Sequence, residues 1–215
     1  MNCPGYRIAV SALLLLSLGG CLNLGGRANA PDVIYYVLDD SAAPAAASAP
    51  PASAPTLLVL DTVTGSFYDG DQLVFSRSAD TRGQYQFARW TERPGKRFAA
   101  LLRNRLDRQG VWKVSAAGGY VRGDRLLDTE LVEFYHDAAQ QPGVMRLVLR
   151  AELMDMNQRT LLGRRVFEQR IALGSYDAAG AARASNQAVS AVLDELTTWL
   201  ATFQLAPTMP TGTAP

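Results

Sequence analysis

Residues 145–153 read Met-Arg-Leu-Val-Leu-Arg-Ala-Glu-Leu. Met145, Leu147, Leu149, Ala151 and Leu153 fall on one side of an extended chain, and Arg146, Val148, Arg150 and Glu152 form a mostly polar opposite side. Successive side chains of a strand point to opposite faces, so this alternation predicts a half-buried antiparallel strand. Met156-Asn157-Gln158-Arg159 supplies a turn, and residues 161–173 return as the hairpin partner.

Working outward from this hairpin, residues 178–205 carry Ala188, Val192, Leu196, Trp199, Leu200 and Phe203 at helical spacing. Trp199 on that stripe reads as a core residue, and residues 206–215 as a flexible tail. Upstream, residues 125–135 form a strand of mixed alternation and residues 111–115 a short one. Residues 94–109 are a helix with Pro94 in its first turn, Gly110 at its stop and an apolar stripe of Phe98, Leu101, Leu102 and Leu106. Arg97, Arg103, Arg105 and Arg108 are expected on its solvated faces. Further strands are expected at residues 33–38 (VIYYVL, core-like in character), 57–63, 72–76 and 85–89, with a turn at Tyr68-Asp69-Gly70-Asp71. Residues 41–55 contain only Ala, Pro and Ser and are expected to be a disordered loop between two strands. The order predicts an α+β fold, a mostly antiparallel sheet with two main helices packed on one face, in a single domain over residues 33–205.

Composition narrows the function. A net charge of +1, from 21 basic and 20 acidic residues, gives no concentrated basic face for nucleic acid. Two cysteines and one histidine leave little for a zinc site, and two cysteines make no disulfide framework. No cofactor is expected.

The value of one cysteine lies in its position. Arg7 precedes an apolar run from Ile8 to Leu18, which ends in Leu18-Gly19-Gly20-Cys21. The run is too short to span a bilayer, which needs about 20 residues, but suits an export signal. Small residues before a cysteine resemble the bacterial lipobox. Residues 1–20 are therefore expected to be removed, Cys3 with them, and Cys21 to become the lipidated first residue of a tether spanning residues 21–32. Several acyl chains on Cys21 would hold the protein to a membrane with no transmembrane helix. Leu22, where an Asp would favour inner-membrane retention, points to the outer membrane, with the domain facing the periplasm.

Catalytic signatures are sparse in the sequence. The chain has no GxSxG elbow, P-loop, GxGxxG or HExxH. His136 is the single histidine and is expected at a surface turn, and Asp69 and Asp71 read as turn residues. No enzyme is expected.

Tyr35-Tyr36-Val37-Leu38 soon after a lipobox, the segment Tyr68 to Arg77 (YDGDQLVFSR), and Tyr85 to Trp90 (YQFARW) resemble, in order, the pattern of the ABC-type transport auxiliary lipoproteins, the PqiC-like family. The resemblance covers nearly all of the chain after residue 20, and the Ala/Pro/Ser insertion and the tail depart from it. It implies a non-catalytic subunit of an envelope system that moves phospholipids or other hydrophobic molecules and maintains membrane integrity. The implied partners are an MCE-domain protein and an inner-membrane ABC permease and ATPase, with a homo-oligomeric ring docked on the MCE tube. Cys21 is the anchor. Phe67, Tyr68, Arg77, Arg89 and Trp90 are candidates for partner contact or for holding the fold. Arg77 is expected to pair with Asp69 or Asp71, and Phe67 and Tyr68 are either interface aromatics or packing at the core's edge. Two alternatives stay open: an activator of a periplasmic cell-wall synthase, and a stand-alone lipid carrier with its own pocket.

Overall fold

The structure, a computed structural model, describes residues 31–42 and 48–203. The expected signal peptide, Cys21, most of the tether, residues 43–47 of the loop and the tail at 206–215 lie outside the described residues. Eleven elements follow in chain order: β1 (Ile34–Tyr36), β2 (Thr56–Val59), β3 (Val63–Thr64), β4 (Gln72–Ser76), β5 (Gly83–Trp90), α1 (Pro94–Gln109), β6 (Lys113–Ala116), β7 (Arg125–Asp137), β8 (Val144–Asp155), β9 (Thr160–Ala172) and α2 (Ala178–Ala201).

The hairpin expected from residues 145–153 is the centre of the sheet. β8 pairs antiparallel with β7 on one side and β9 on the other, along almost its whole length. The far edge of β7 is shared by three short strands in succession, β2, β3 and β4, all parallel to it. β2 carries β6, and β4 carries β5 and then β1. The sheet is mixed but largely antiparallel, because its longest strands are the antiparallel ones.

Met145, Leu147, Leu149, Ala151 and Leu153 are each at most 2% exposed, as their alternation predicts. They meet α2, whose Ala188, Val192, Leu196 and Leu200 are fully buried. Asp177 caps α2, its carboxylate accepting from the Gly180 N–H at 2.7 Å. That bond and one from the Ser175 hydroxyl hold the Asp177 carboxyl below its ordinary value. α1 begins and ends at the expected residues. Gly110 closes it with φ 64°, and a Cβ there would also lie 2.1 Å from the Ser48 carbonyl oxygen.

Several expectations need correction. Residues 48–55 of the Ala/Pro/Ser loop are tied at both ends though mostly exposed: the Ser48 N–H donates to the Arg108 carbonyl, the Lys113 N–H donates to the Pro55 carbonyl, and Ala54 is buried. The physical reason is that this stretch closes the carboxyl end of α1 and leads straight into β2.

Arg105 is not solvated; it is 8% exposed and bonds Asp40 through both Nε (2.8 Å) and Nη2 (2.6 Å), with Asp194 as a further partner. Burial alone would raise the Asp40 carboxyl, but the Arg105 guanidinium and the Ser190 hydroxyl outweigh it and hold it below its usual value. Residues 33–38 do form a strand, but a narrower and far more exposed one than their core-like character suggests; only Leu38 is fully buried. Among the described residues β1 lies at the end of the sheet with one neighbouring strand, so little covers it.

Candidate functional site

The turn and hairpin from Phe67 to Trp90 hold the motif residues. Trp90 is 3% exposed, its ring packs 5.8 Å from the Phe134 ring, and its backbone N–H donates to the Asp71 carbonyl. Its side chain therefore serves the core and is closed to a partner. Arg89 lies beside Asp71 at 3.9 Å and donates to the Tyr85 and Ala88 carbonyls, so it braces the hairpin. Asp69 faces Arg93 at 3.6 Å. The expected pairing of Arg77 with Asp69 or Asp71 is thus not formed. Arg77 leaves the end of β4 toward the surface and lies over the Phe75 ring at 5.1 Å.

Phe67 is 43% exposed, whereas Tyr68 is half-buried and edge-on to it at 6.3 Å. The Tyr68 hydroxyl accepts from Arg82 Nε at 3.1 Å. Arg82 also donates to the Ala79 and Thr81 carbonyls and lies 4.0 Å over the Tyr135 ring. It gathers the 68–71 turn, the β4–β5 turn and β7 into one unit. Sequence reading missed it because no local pattern marks it. Its only cue is an arginine just ahead of an aromatic strand.

His136 is the largest departure from expectation. It is 1% exposed, not at a surface turn. The cause is a bulge in β7 between Leu131 and Glu133. Before it the odd residues Leu127, Thr129 and Leu131 face inward; after it the even residues Phe134 and His136 do. His136 Nε2 lies 3.1 Å from the Pro142 carbonyl, which can only accept, so Nε2 carries the proton. Nδ1 then accepts from the Tyr85 hydroxyl at 2.8 Å. The Tyr176 ring meets the imidazole edge-on at 5.5 Å. Gly143, at φ 81°, leaves room for the ring, since a Cβ there would lie 2.4 Å from Nε2. Burial lowers the His136 pKa from its ordinary 6.5 and pushes the Tyr85 hydroxyl up to about 12. Both ring nitrogens are committed to structural bonds, so proton transfer to a substrate would first have to break one.

Among the described residues four surface grooves are of comparable size, the smallest of about 320 Å³ beside Val63, Asp128 and Arg150. One, of about 380 Å³, lies along the 137–144 loop with Arg170. A second, of about 350 Å³, runs between Arg77, Tyr85 and Tyr176. A third, of about 330 Å³, lies beside β1 and the start of α2. The interior space between sheet and α2, at Trp90, Phe134 and Met145, amounts to about 10 Å³, room for one water at most. Among the described residues no group of three His, Cys, Asp or Glu is placed to hold a metal, and no helix is long and apolar enough to cross a membrane.

Comparison with known proteins agrees with this architecture. The chain is similar to the crystal structure of protein XCC0632 from Xanthomonas campestris, with a TM-score of 0.68 and 21% identity over 80% of this chain and 97% of that one. A second solved structure, of an uncharacterized protein, superposes with a TM-score of 0.63 and 14% identity over 79% of this chain and 99% of the other. At these identities the likeness is one of fold. No curated protein matches the sequence. A sequence model of the ABC-type transport auxiliary lipoprotein component matches residues 36–197, from the end of β1 to the last turns of α2. The chain belongs to the ABC-type transport auxiliary lipoprotein component family.

Proposed function

We propose that this protein is a non-catalytic, outer-membrane-anchored periplasmic subunit of an ABC/MCE-type envelope transport system for phospholipids or other hydrophobic molecules. The observation that carries the reading is the family match across residues 36–197, which spans nearly the whole described domain. Cys21, at the end of a lipobox-like segment, is the lipid anchor, and Leu22 after it favours the outer membrane. With no P-loop in the sequence, ATP hydrolysis falls to another subunit. The fully bonded His136 fits a role in packing and assembly.

Phe67 and Arg77 are the motif side chains offered to an MCE-domain partner or to a neighbouring copy in a homo-oligomeric ring. Arg89 and Trp90 keep the hairpin in shape behind them. A stand-alone carrier receives less support, because ligand pockets run to about 300–1,000 Å³ of largely enclosed space and the space between sheet and α2 at Trp90, Phe134 and Met145 is about 10 Å³.

The test is affinity purification of the full lipidated chain from gently solubilised, crosslinked envelopes. An MCE-domain protein with its ABC permease as the main partner supports the proposal. A cell-wall synthase in that place overturns it, as does a purified chain that carries one lipid and no protein partner.

A further inference from the structure

β1 bonds to β5 on one side, and among the described residues no strand lies on its other side. Such an edge offers unpaired N–H and C=O groups, and proteins ordinarily guard it with charge or proline. Residues 33–38 carry neither. Val33, Ile34, Tyr35 and Val37 are 42–61% exposed, and Phe87 of β5 is 38% exposed. The groove beside Ile34, Phe87 and Ala178 extends the apolar area.

This segment is not loosely attached. Asn186 of α2 accepts from the Asp39 N–H at 3.0 Å, Arg97 of α1 donates to the Leu38 carbonyl at 2.8 Å, and Arg105 holds Asp40. An apolar strand is thus fixed in place, and among the described residues no strand pairs with its outer side, where the Asn186 side-chain amide donates to the Val37 carbonyl at 3.4 Å. Three nearby arginines are paired, Arg89 with Asp71, Arg93 with Asp69 and Arg97 with Asp39, while Asp177 at the groove is held as the cap of α2. The patch therefore presents mainly apolar contact.

What covers it is set by what precedes it. Only eleven residues lie between Cys21 and Val33, a reach of at most about 40 Å when fully extended. A tether this short keeps the edge at high local concentration beside whatever Cys21 is anchored in. We propose that the β1 edge, Val33 to Val37 with Phe87, docks on the lipid surface that holds the Cys21 anchor. The inference rests on the reading of Cys21 as lipidated. Val33, Ile34 and Val37 supply aliphatic contact, and Tyr35 suits the headgroup level, where a ring with a polar tip is favoured. The unpaired edge backbone keeps the contact shallow, because those groups cannot enter hydrocarbon unsatisfied.

The test uses the full lipidated chain in phosphatidylcholine vesicles that contain a nitroxide-labelled lipid as quencher. An environment-sensitive fluorophore is placed at Tyr35→Cys and, in a second sample, at Val166→Cys of β9, which is also exposed. Flotation with the vesicles is measured first; a chain that does not float refutes the anchor and the inference with it. For a chain that floats, the inference expects quenching at position 35 roughly twofold or more above position 166, unchanged by salt. Equal quenching at the two positions overturns it while leaving the anchor standing. So does energy transfer between copies labelled at position 35 without lipid quenching, which would mean a second copy covers the edge.

Discussion

At the β9 end of the sheet, the outermost strand carries Arg164, Arg165, Glu168 and Arg170. Ion pairs cross the outer face behind it, Arg164 with Glu152 at 2.7 Å, Arg150 with Glu130 at 2.5 Å and Arg146 with Glu133. At the β1 end, residues 33–38 carry no charge and four of them are largely exposed. One sheet therefore meets its surroundings in two ways. Charged edges resist pairing with other chains and stay wet, whereas an apolar edge held rigidly is suited to contact. The charges near β1 lie behind the strand, where they clamp the chain that follows it. The difference locates the clamp as the costly feature of one end and the ion-pair lattice as the cheap feature of the other.

Breaking the clamp has the largest expected effect. Arg105→Ala leaves the Asp40 carboxylate, whose side chain is 4% exposed, without its main partner. Because Arg108 remains 3.5 Å away, the loss of stability should sit near the low end for a broken buried pair, about 3 kcal/mol in urea unfolding. A loss below about 1 kcal/mol would mean that the cluster behaves like a surface pair.

Next comes the His136 site, where β7 reaches toward β4 and β5. The folded state disfavours protonated His136, so the unfolded chain binds more protons once the pH drops below 6.5. Stability should therefore be full above that pH and decline below it, levelling off once the folded-state pKa is passed. His136→Gln should cost roughly 1–2 kcal/mol at neutral pH through lost bonds and packing, and should flatten the decline between pH 7 and 5. The Asp40 and Asp177 carboxyls, both held below 3.8, act at lower pH, so the two windows separate. An unchanged slope in the variant would contradict the assignment.

The smallest effects are at the two ends themselves. Arg150→Ala in the outer lattice should change stability by no more than about 1 kcal/mol, since both partners are well exposed. Tyr35→Lys should stay within about 0.5 kcal/mol in the same assay, yet remove the vesicle contact of the β1 edge. If Tyr35→Lys instead unfolds the protein, the edge is part of the core and the contrast between the two ends fails.

The sequence announces these regions unequally. The β8–β9 hairpin and both helices are legible because each buries one face along its whole length, which leaves a clear period of two or of 3.6. The β1 strand is legible as a strand but not as an exposed one. Val, Ile and Tyr favour extended backbone whether or not anything covers them. Its exposure follows from its end position in the sheet, which no local pattern encodes. The bulge at Leu131/Glu133 hides His136 by switching which residues face inward. Arg105 and its partner Asp40 are 65 residues apart, so a helix wheel sees only an arginine off the apolar stripe. Within the candidate site, the motif around residues 68–90 is visible in the sequence. The division of labour among Phe67, Arg77, Arg82, Arg89 and Trp90 emerges only when burial is known.

The central claim is that the apolar β1 end faces a contact in the envelope while the charged β9 end faces water. Hydrogen exchange tests it most directly, comparing the lipidated chain on vesicles with the chain beginning at Leu22 free in solution. The account predicts added protection at residues 33–38 and 83–90 on the vesicles, with residues 160–172 unchanged. Added protection confined to residues 160–172, or none at either end, would contradict it.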